Sequence, residues 1–216
     1  MSREPVEGLV VVDGTARCWW CVADPVYQRY HDEEWGRPEA TDQRLFEKVC
    51  LEGFQAGLSW LTILRKRERF REVFHDFDYE RVARFDDRRV ERLLLDPGIV
   101  RHRGKIESTI GNARRALELV AEFGSLAAYF WQFESKPQAP ARKLTKAILT
   151  TRTTTPEAVA LSRDLKRRGW KFVGPTGIYA FMQAMGLVND HLHGCALRPD
   201  VDAARRAFRR PSSGSR

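Results

Sequence analysis

The stretch VERLLLDPGIVRHRGKIESTIGN, residues 90–112, predicts a helix, a tight turn and a second helix. Apolar residues recur at helical spacing before the turn, and Pro97-Gly98 interrupts the pattern. The second helix is expected to run from about Arg103 to Phe123. This outline is typical of a helix-hairpin-helix motif, in which backbone N–H groups at the turn and at the start of the second helix contact a phosphate. An ordinary corner between two helices with a solvated basic face would give the same pattern.

Helical periodicity also dominates the chain on both sides of this motif. Residues 42–56 place their apolar side chains on one face. Residues 155–168 predict another helix, with Pro156 at the first helical position and Gly169 directly after the end. Residues 134–154 lack a clear period and predict a long connection across the surface. Since no convincing run of strands appears, the predicted fold class is all-α.

The length of 216 residues fits one compact domain. We predict a single domain with two helical lobes over residues 17–200 and a basic disordered tail over residues 201–216. Residues 1–16 are predicted to form a flexible N-terminal tail, with a loosely docked strand as the alternative. No apolar run reaches the roughly 18 to 20 residues needed to cross a bilayer, and the first residues lack the pattern of a secretion signal. A cytoplasmic location without membrane contact is therefore expected.

The chain is basic, with 37 lysines and arginines against 29 acidic residues and a net charge of +8. A surplus of this size suits a polyanionic partner such as DNA, RNA or an anionic membrane face. Charge alone does not choose among these partners.

One acidic residue stands in a long uncharged run. Residues 49–64 read VCLEGFQAGLSWLTIL, and within them only Glu52 is charged. A carboxylate in such a setting is costly unless it is paired, hydrogen-bonded or solvated through a cavity. Glu52 could also reach the surface or pair with Arg65 or Arg44. The N-terminal half supplies aromatic residues that could form the stacking walls of a pocket for a planar base; they are Trp20, Tyr27, Tyr30, Trp35 and Trp60.

Cysteine and histidine cluster near both ends of the chain. The candidates for a metal site are Cys18, Cys21, His31, His191, His193 and Cys195. A structural zinc ion prefers four such ligands in a tetrahedron. Spacing does not choose among the six residues, and the cysteines could equally pack as small apolar residues. If zinc is bound, it joins segments about 160 residues apart in sequence.

Taken together, these motifs resemble one family, the bacterial 3-methyladenine DNA glycosylase I family. The matching stretches cover most of the chain in the family's order; they are CWWCVADPVYQRYHDEEWG (18–36), LFEKVCLEGFQAGLSWLTIL (45–64), DPGIVRHRGKIESTIGNAR (96–114) and LKRRGWKFVGPTGIYAFMQAMGLVNDHLHGC (165–195). The resemblance implies a helix-hairpin-helix glycosylase fold in which one structural zinc ion joins the N- and C-terminal segments.

The resemblance also assigns residues to sites. The zinc ligands fall on Cys18, His31, His191 and Cys195. The base pocket falls on Glu52 and on Trp20, Tyr27, Tyr30, Trp35 and Trp60. Glu52 is expected to recognise the base, and a catalytic role for it stays open. The DNA contacts fall on Gly57 and Leu58 in an inserted loop and on Gly98, Arg103, Gly104 and Lys105 in the hairpin. The chain departs from the family pattern at Trp19, which affects crowding of the pocket, and at Pro97, which stiffens the turn.

The expected activity is base-excision repair. The enzyme would hydrolyse the N-glycosidic bond of 3-methyladenine in alkylated double-stranded DNA and release the free base, acting as a monomer. No lysine stands out as a Schiff-base nucleophile, so a monofunctional glycosylase without strand cleavage is expected. A non-catalytic, zinc-stabilised nucleic-acid-binding module is the main alternative, and a zinc hydrolase, which needs an open coordination position, is a more distant one.

Overall fold

A computed structural model of the protein describes residues 7–135 and 143–212. Within these ranges the chain forms two strands and eleven α-helices, together with three short 3₁₀ turns. In chain order the elements are β1 (Leu9–Val12), β2 (Thr15–Cys18), α1 (Pro25–Glu33), α2 (Asp42–Gln55), α3 (Trp60–Val73), α4 (Tyr79–Val82), α5 (Asp87–Leu94), α6 (Arg103–Phe123), α7 (Leu126–Phe130), α8 (Lys146–Thr151), α9 (Pro156–Arg167), α10 (Pro175–Ala184) and α11 (Arg198–Ala207). The fold is mostly helical, as predicted.

Helix α2 lies in the centre of the core. Every residue from Leu45 to Phe54 is buried, and the helix packs against α3, α6, α7 and α10. A helix surrounded by other helices needs apolar side chains on all sides, which explains the long uncharged run in its second half. At its first turn the carboxylate of Asp42 accepts hydrogen bonds from the backbone N–H groups of Leu126 and Ala127, both at 2.9 Å. This contact fixes the start of α7 against the start of α2.

The predicted helix, turn and helix are confirmed as α5, residues 95–102 and α6. Each helix begins with a side-chain cap, because Asp86 accepts from the N–H of Arg89 and His102 Nδ1 accepts from the N–H of Lys105. Helix α6 ends at Gly124, which has a φ of 85° and closes the helix in the left-handed conformation that glycine adopts readily. The second helix therefore has the bounds expected from sequence.

Part of the N-terminal segment forms a strand, which is the alternative to a flexible tail. Strands β1 and β2 pair in antiparallel fashion with Val12 opposite Thr15, so part of residues 1–16 is ordered. The connecting residues Asp13 and Gly14 have φ values of 50° and 72°, the backbone that a two-residue hairpin turn requires. The Asp-Gly pair between apolar residues is the sequence signal for this hairpin.

Two further segments are more regular than predicted. Residues 146–151 form α8 inside the expected surface connection, with Thr145 capping its start; residues 136–142 of that connection lie outside the described part. Helix α11 extends to residue 207, so the disordered tail cannot begin at residue 201. It is held because Arg205 pairs with Glu134 at 2.8 Å. A single buried valine in a short charged helix is too weak a periodic signal to detect in sequence.

In the described ranges, none of the helices has both the length and the apolar character that a membrane crossing demands.

Candidate active site and metal group

Four of the six candidate metal ligands converge at the junction of the two chain ends. Cys18 at the end of β2, His31 on α1, and His191 and Cys195 after α10 are all buried, and their ligand atoms lie within 4.8 Å of one another. Cys21 and His193 are not part of this group. The side chain of His193 is exposed, and the thiol of Cys21 donates to the backbone carbonyl of Cys18 at 3.1 Å.

The spacing of the donor atoms fits one tetrahedral ion. His191 Nδ1 lies 3.5 Å from Cys195 Sγ, and His31 Nε2 lies 3.7 Å from the same sulfur and 3.2 Å from His191 Nδ1. Ligands at the usual bond lengths of zinc, about 2.0 to 2.3 Å, are separated by roughly 3.3 to 3.8 Å in a tetrahedron. Three of the donors lie at about these separations, and Cys18 Sγ lies within 4.8 Å of them, so the group of two sulfur and two nitrogen donors can hold a metal ion.

The surroundings also fit a metal site, because each histidine uses its second ring nitrogen elsewhere. His31 Nδ1 lies 2.7 Å from the carboxylate of Asp32, and His191 Nε2 lies 3.1 Å from the backbone carbonyl of Trp35. Such partners orient metal-binding imidazoles. Both remaining nitrogens, His31 Nε2 and His191 Nδ1, face the group.

A cavity of about 240 Å³ opens beside this group. Its wall contains Glu52 and all five of the aromatic residues predicted for the base pocket; the full lining is Trp19, Trp20, Tyr27, Tyr30, Trp35, Lys48, Glu52, Gln55, Trp60, Leu149, Ala180 and Gln183. Adjacent rings are close, with centroid separations of 4.9 Å for Trp20 and Tyr27 and 5.6 Å for Tyr30 and Trp60. The cavity can accept a planar ring between aromatic faces.

Local structure explains how these side chains meet. Asp24 caps α1 by accepting from two backbone N–H groups, and Tyr27 and Tyr30 follow on one helical face because they are three residues apart. The side chain of Ser59 caps α3 by accepting from the backbone N–H of Thr62. This cap sets Trp60 at the first position of the helix. Glu52 reaches the cavity from the central helix α2.

Lys48 is the partner of Glu52, and sequence reasoning missed it. Its Nζ lies 2.6 Å from Glu52 Oε1, one helical turn away on α2, and both side chains are nearly fully buried, with exposures of 6% and 5%. Neither arginine considered in the sequence analysis contacts Glu52. Arg65 pairs with Asp24, and Arg44 lies near two other glutamates. The i,i+4 spacing was the available signal, but the sequence analysis considered only Arg65 and Arg44 as partners.

The ammonium of Lys48 also contacts two pocket aromatics. It donates to the hydroxyl of Tyr30 at 3.1 Å and lies 3.2 Å from the ring centroid of Trp60. A cation in this position is attracted to the electron-rich ring face. Lys48 therefore brings a positive charge directly against the aromatic wall.

The charges of the pair are opposed by burial and supported by each other. Burial raises the pKa of Glu52, and the Lys48 ammonium counteracts this rise. Burial lowers the pKa of Lys48, and the carboxylate counteracts that fall. Burial, followed by the charge of Glu52, raises the pKa of Tyr27 to about 12, so this tyrosine stays a neutral hydrogen-bonding group at physiological pH.

Two buried polar atoms in the wall lack a hydrogen-bond partner among the described residues. They are Glu52 Oε2, an acceptor, and Trp60 Nε1, a donor. An unsatisfied buried polar group costs about 1–3 kcal/mol. The pair is suited to a ligand that offers one donor and one acceptor.

Other lining residues were also absent from the sequence analysis. Gln183 on α10 reaches the cavity and donates to the buried carboxylate of Asp190 at 2.9 Å. Trp19, noted from sequence as a departure from the family pattern, forms part of the wall. Gln183 had no usable signal, because its position depends on how α10 packs against α2.

The loop at Gly57 and Leu58 and the hairpin at Gly98, both predicted to contact DNA, differ in what they present to solvent. Gly57 has a φ of 80°, and the neighbouring Leu58 is 43% exposed, so the loop between α2 and α3 presents an apolar side chain to solvent. In the hairpin, the N–H of Gly98 is already donated to the carboxylate of Asp96 at 2.8 Å.

The structure places the two hairpin cations in different surroundings and corrects the expectation for Lys105. The Lys105 ammonium points inward and donates to the backbone carbonyls of Phe54 and Ala56 at 2.9 and 2.6 Å. The exposed Arg103 guanidinium pairs with Glu91 and Glu107. Lys105 therefore caps the end of α2 and is not available to a phosphate. In the described ranges, the backbone N–H groups of Arg103 and Gly104 bind no acceptor, and they remain suited to an anion at the start of α6.

Comparison with known proteins places this geometry in a family. The sequence profile of the methyladenine glycosylase family matches residues 20–198. DNA-3-methyladenine glycosylase 1 of Escherichia coli (strain K12) is 49% identical over 183 residues, which cover 85% of this chain and 97% of that protein. DNA-3-methyladenine glycosylase of Haemophilus influenzae is 42% identical over 181 residues, 84% of this chain and 97% of that protein.

Solved structures agree in fold. A crystal structure of 3-methyladenine DNA glycosylase I, 49% identical, superposes with a TM-score of 0.79 and covers 85% of this chain and 100% of its own. The 3-methyladenine DNA glycosylase I of Staphylococcus aureus, whose structure concerns the recognition of 3-methyladenine, is 38% identical with a TM-score of 0.77 and covers 82% of this chain and 94% of its own.

Replacing Lys48 by methionine should leave Glu52 as an unpaired buried carboxylate. We expect the pKa of Glu52 to rise further, which carbon NMR of the side-chain carboxyl group can measure directly. The unfolded-state pKa is about 4.3. Because the folded-state pKa lies above the unfolded-state pKa, the variant keeps its stability below the unfolded-state pKa. It loses stability as the pH rises through the folded-state pKa. The loss should stay under the roughly 3–5 kcal/mol of an uncompensated buried charge, because the carboxyl group can take up a proton.

The variant Lys48→Met/Glu52→Gln provides the matched control. With both charges removed, its difference in melting temperature from the wild type should no longer grow with pH above about 4.3. A Lys48→Met deficit that is equal at all pH values, with an unshifted Glu52 titration, would show that the ion pair does not control the charge of Glu52.

Proposed function

The chain belongs to the methyladenine glycosylase family, and from this premise we propose that it is a base-excision repair enzyme that hydrolyses the N-glycosidic bond of 3-methyladenine in alkylated DNA. The observation that carries the proposal is the aromatic cavity with the free, buried Oε2 atom of Glu52 in its wall. The partners in this proposal are double-stranded DNA with alkylated bases and, after cleavage, free 3-methyladenine. The enzyme acts as a monomer in the cytoplasm.

The chemistry of the damaged base makes a simple pocket sufficient. Methylation at N3 gives adenine a formal positive charge, so the base departs as a neutral molecule and its glycosidic bond is weakened. The enzyme therefore needs less activation of the leaving group than one that acts on normal bases. Rotating the nucleotide out of the duplex costs a few kcal/mol, and less for a damaged pair.

Glu52 and the aromatic wall divide the recognition of the base. Glu52 Oε1 is held by Lys48 at 2.6 Å, while Oε2 is free to accept a hydrogen bond from the exocyclic amino group. The rings of Tyr30 and Trp60, 5.6 Å apart, supply faces for stacking. We assign Glu52 the role of reading the amino edge of the base.

Lys48 limits the cation–π attraction that the pocket can offer a cationic base. The electron-rich faces of Trp60, Tyr30 and Trp20 attract a cation, but the ammonium of Lys48 already lies 3.2 Å from the ring centroid of Trp60. The Lys48–Glu52 pair also carries no net charge. A net negative pocket would hold the cationic substrate more strongly than the neutral leaving base, and would thereby stabilise the ground state more than the transition state. A neutral pair avoids that penalty.

The first test is release of free 3-methyladenine from DNA treated with a methylating agent, followed by chromatography. The wild type should release the base, whereas the rival nucleic-acid-binding module would release none. Glu52→Gln should bind free 3-methyladenine about 10- to 100-fold more weakly, which corresponds to a charged hydrogen bond of about 1.5–3 kcal/mol. Isothermal titration with the free base measures this loss.

Glu47→Gln is the control for that substitution. Glu47 is on the same helix and is also buried, but it pairs with Arg71 at 2.9 Å and does not line the cavity. Its affinity for the base should stay at the wild-type value. Equal affinities of Glu52→Gln and the wild type would remove Glu52 from base recognition.

The enzyme is expected to be monofunctional. Lys48 is a buried lysine in the pocket, a candidate that sequence analysis did not identify, and burial lowers its pKa. Its ammonium is nevertheless held by Glu52 and by the Tyr30 hydroxyl. These contacts favour the protonated form, which has no lone pair for attack. Borohydride added during turnover should therefore trap no covalent enzyme–DNA adduct. An adduct that disappears in Lys48→Met would identify Lys48 as a nucleophile and overturn this assignment.

We also propose that the four-residue group binds one structural zinc ion. Cys18, His31, His191 and Cys195 supply four protein ligands, which close the coordination sphere and leave no open position for catalysis. When bound, zinc cross-links the N-terminal and C-terminal segments. Two ligands lie near the N-terminal end of the chain and two near the C-terminal end, so the ion would hold these two segments together.

Metal analysis tests this assignment. The purified protein should contain one zinc ion per chain, and Cys195→Ser should lose it and melt at a lower temperature. Cys50→Ser is the control, because Cys50 is an equally buried cysteine on α2 outside the group, and this variant should keep its zinc. A zinc-free wild type with full stability would contradict the structural role.

A further inference from the structure

Phe172 combines an exposed aromatic ring with a strained backbone. Its φ is 56°, a region that bulky residues rarely adopt, and its side chain is 40% exposed. Such a conformation costs about 1–3 kcal/mol and persists only where the surroundings enforce it. Exposure of a large apolar ring gives no compensating burial, so the fold alone does not explain this residue.

The backbone beside Phe172 is held from both sides. The side chain of Asn112, buried on α6, donates to the carbonyl of Lys171 at 3.0 Å and accepts from its N–H at 2.9 Å. On the other side, the buried Ser162 hydroxyl donates to the carbonyl of Val173 at 2.6 Å. These contacts hold the 171–172 loop in place with its ring directed outward.

The loop lies between the cavity and the hairpin. A Cβ atom at Gly53, the residue after Glu52, would lie 3.2 Å from Phe172 Cβ, so glycine allows the loop to approach α2. On the hairpin side, the ring centroid of Phe172 is 6.3 Å from that of His102. A DNA strand that reaches from the hairpin to the cavity would pass this ring.

The charges around the ring favour nucleic acid over an apolar partner. Arg101, His102 and Lys171 are all exposed, and the side chains of Arg101 and Lys171 form no ion pair or hydrogen bond with the part of the chain that the structure describes. Aromatic rings beside unpaired cations are typical of surfaces that bind a nucleic-acid strand, where the ring contacts bases and the cations contact phosphates.

We propose that Phe172 makes an apolar contact with the DNA strand between the nucleotide in the cavity and the phosphate at the hairpin. This inference rests on the proposed function, since it takes DNA as the substrate. Stacking of one base on an aromatic side chain contributes about 1–3 kcal/mol. Loss of the ring should therefore weaken DNA binding by roughly 5- to 150-fold.

Phe172→Gly separates this role from folding. Glycine adopts a positive φ without strain, so the variant should melt at or above the wild-type temperature. Fluorescence anisotropy with a duplex that contains a stable abasic-site analogue should show the loss of affinity, while binding of free 3-methyladenine stays unchanged. Phe172→Tyr should bind DNA like the wild type. If Phe172→Gly fails to fold, Phe172→Asn removes the ring with a residue that tolerates the same backbone region.

Salt dependence distinguishes an apolar contact from an electrostatic one. Phe172→Gly should keep the wild-type slope of log affinity against log salt concentration, whereas Lys171→Met should reduce its magnitude by about 0.9 for one lost phosphate contact. Leu117→Ala, another exposed apolar residue, lies 14 positions along α6 from Arg103 and serves as the control with unchanged DNA affinity.

The outcomes separate this inference from the proposed function. If the wild type neither releases 3-methyladenine nor binds the abasic duplex, the proposed function fails. If the wild type does both and Phe172→Gly binds the duplex equally well, only the role of Phe172 is overturned. A variant with unchanged DNA affinity but altered self-association in sedimentation would show instead that the ring contacts a second copy of the chain.

Discussion

An ionised carboxylate inside an aromatic cavity needs a counter-charge, and this requirement shapes the centre of the molecule. Transfer of an isolated charge from water into a protein interior costs far more than a single hydrogen bond returns. Lys48 meets the requirement from one helical turn away, at 2.6 Å, so the pairing depends on α2 alone and not on the docking of a distant element. Because Lys48 binds only Oε1, the second oxygen stays free for a ligand. Apart from Glu52, the second half of α2 is uncharged, and four other helices pack around the helix.

The candidate metal ligands Cys18, His31, His191 and Cys195 pack against one wall of the cavity. This contact links the stability of the fold to the shape of the pocket. The ring centroid of Trp20 is 5.1 Å from that of His31, and the centroid of Trp35 is 4.7 Å from that of His191. The backbone carbonyl of Trp35 also lies within hydrogen-bond distance of His191 Nε2. Any movement of the imidazoles would therefore displace the two tryptophans. The residues that join the chain ends thus also fix one side of the pocket, although none of the four lines it.

Sequence reasoning succeeded where a local pattern determines the structure. The helix-hairpin-helix follows from helical periodicity and one Pro-Gly break, and α6 has the predicted bounds. It failed where a side chain has several directions open to it. Lys105 looked like a phosphate ligand, but its ammonium caps α2 instead, and no linear pattern specifies that choice. Lys48 was missed for a different reason, since charges were counted along the chain and not around the helix. Phe172 has no sequence signal, because its backbone conformation is set by Asn112, 60 positions earlier.

Gly53 connects the cavity with the surface that we propose to contact DNA. In a central helix, glycine costs about 1 kcal/mol relative to alanine, so its presence next to Glu52 needs a physical reason. A Cβ atom there would lie 3.2 Å from Phe172 Cβ, which is tighter than most Cβ contacts, so the 171–172 loop would have to shift by a few tenths of an ångström. The loop is clamped by Asn112 and cannot retreat without breaking two hydrogen bonds. The glycine therefore lets the 171–172 loop pack beside Glu52, so that α2 directs one group into the proposed base pocket and supports another on the surface that we propose for the DNA strand.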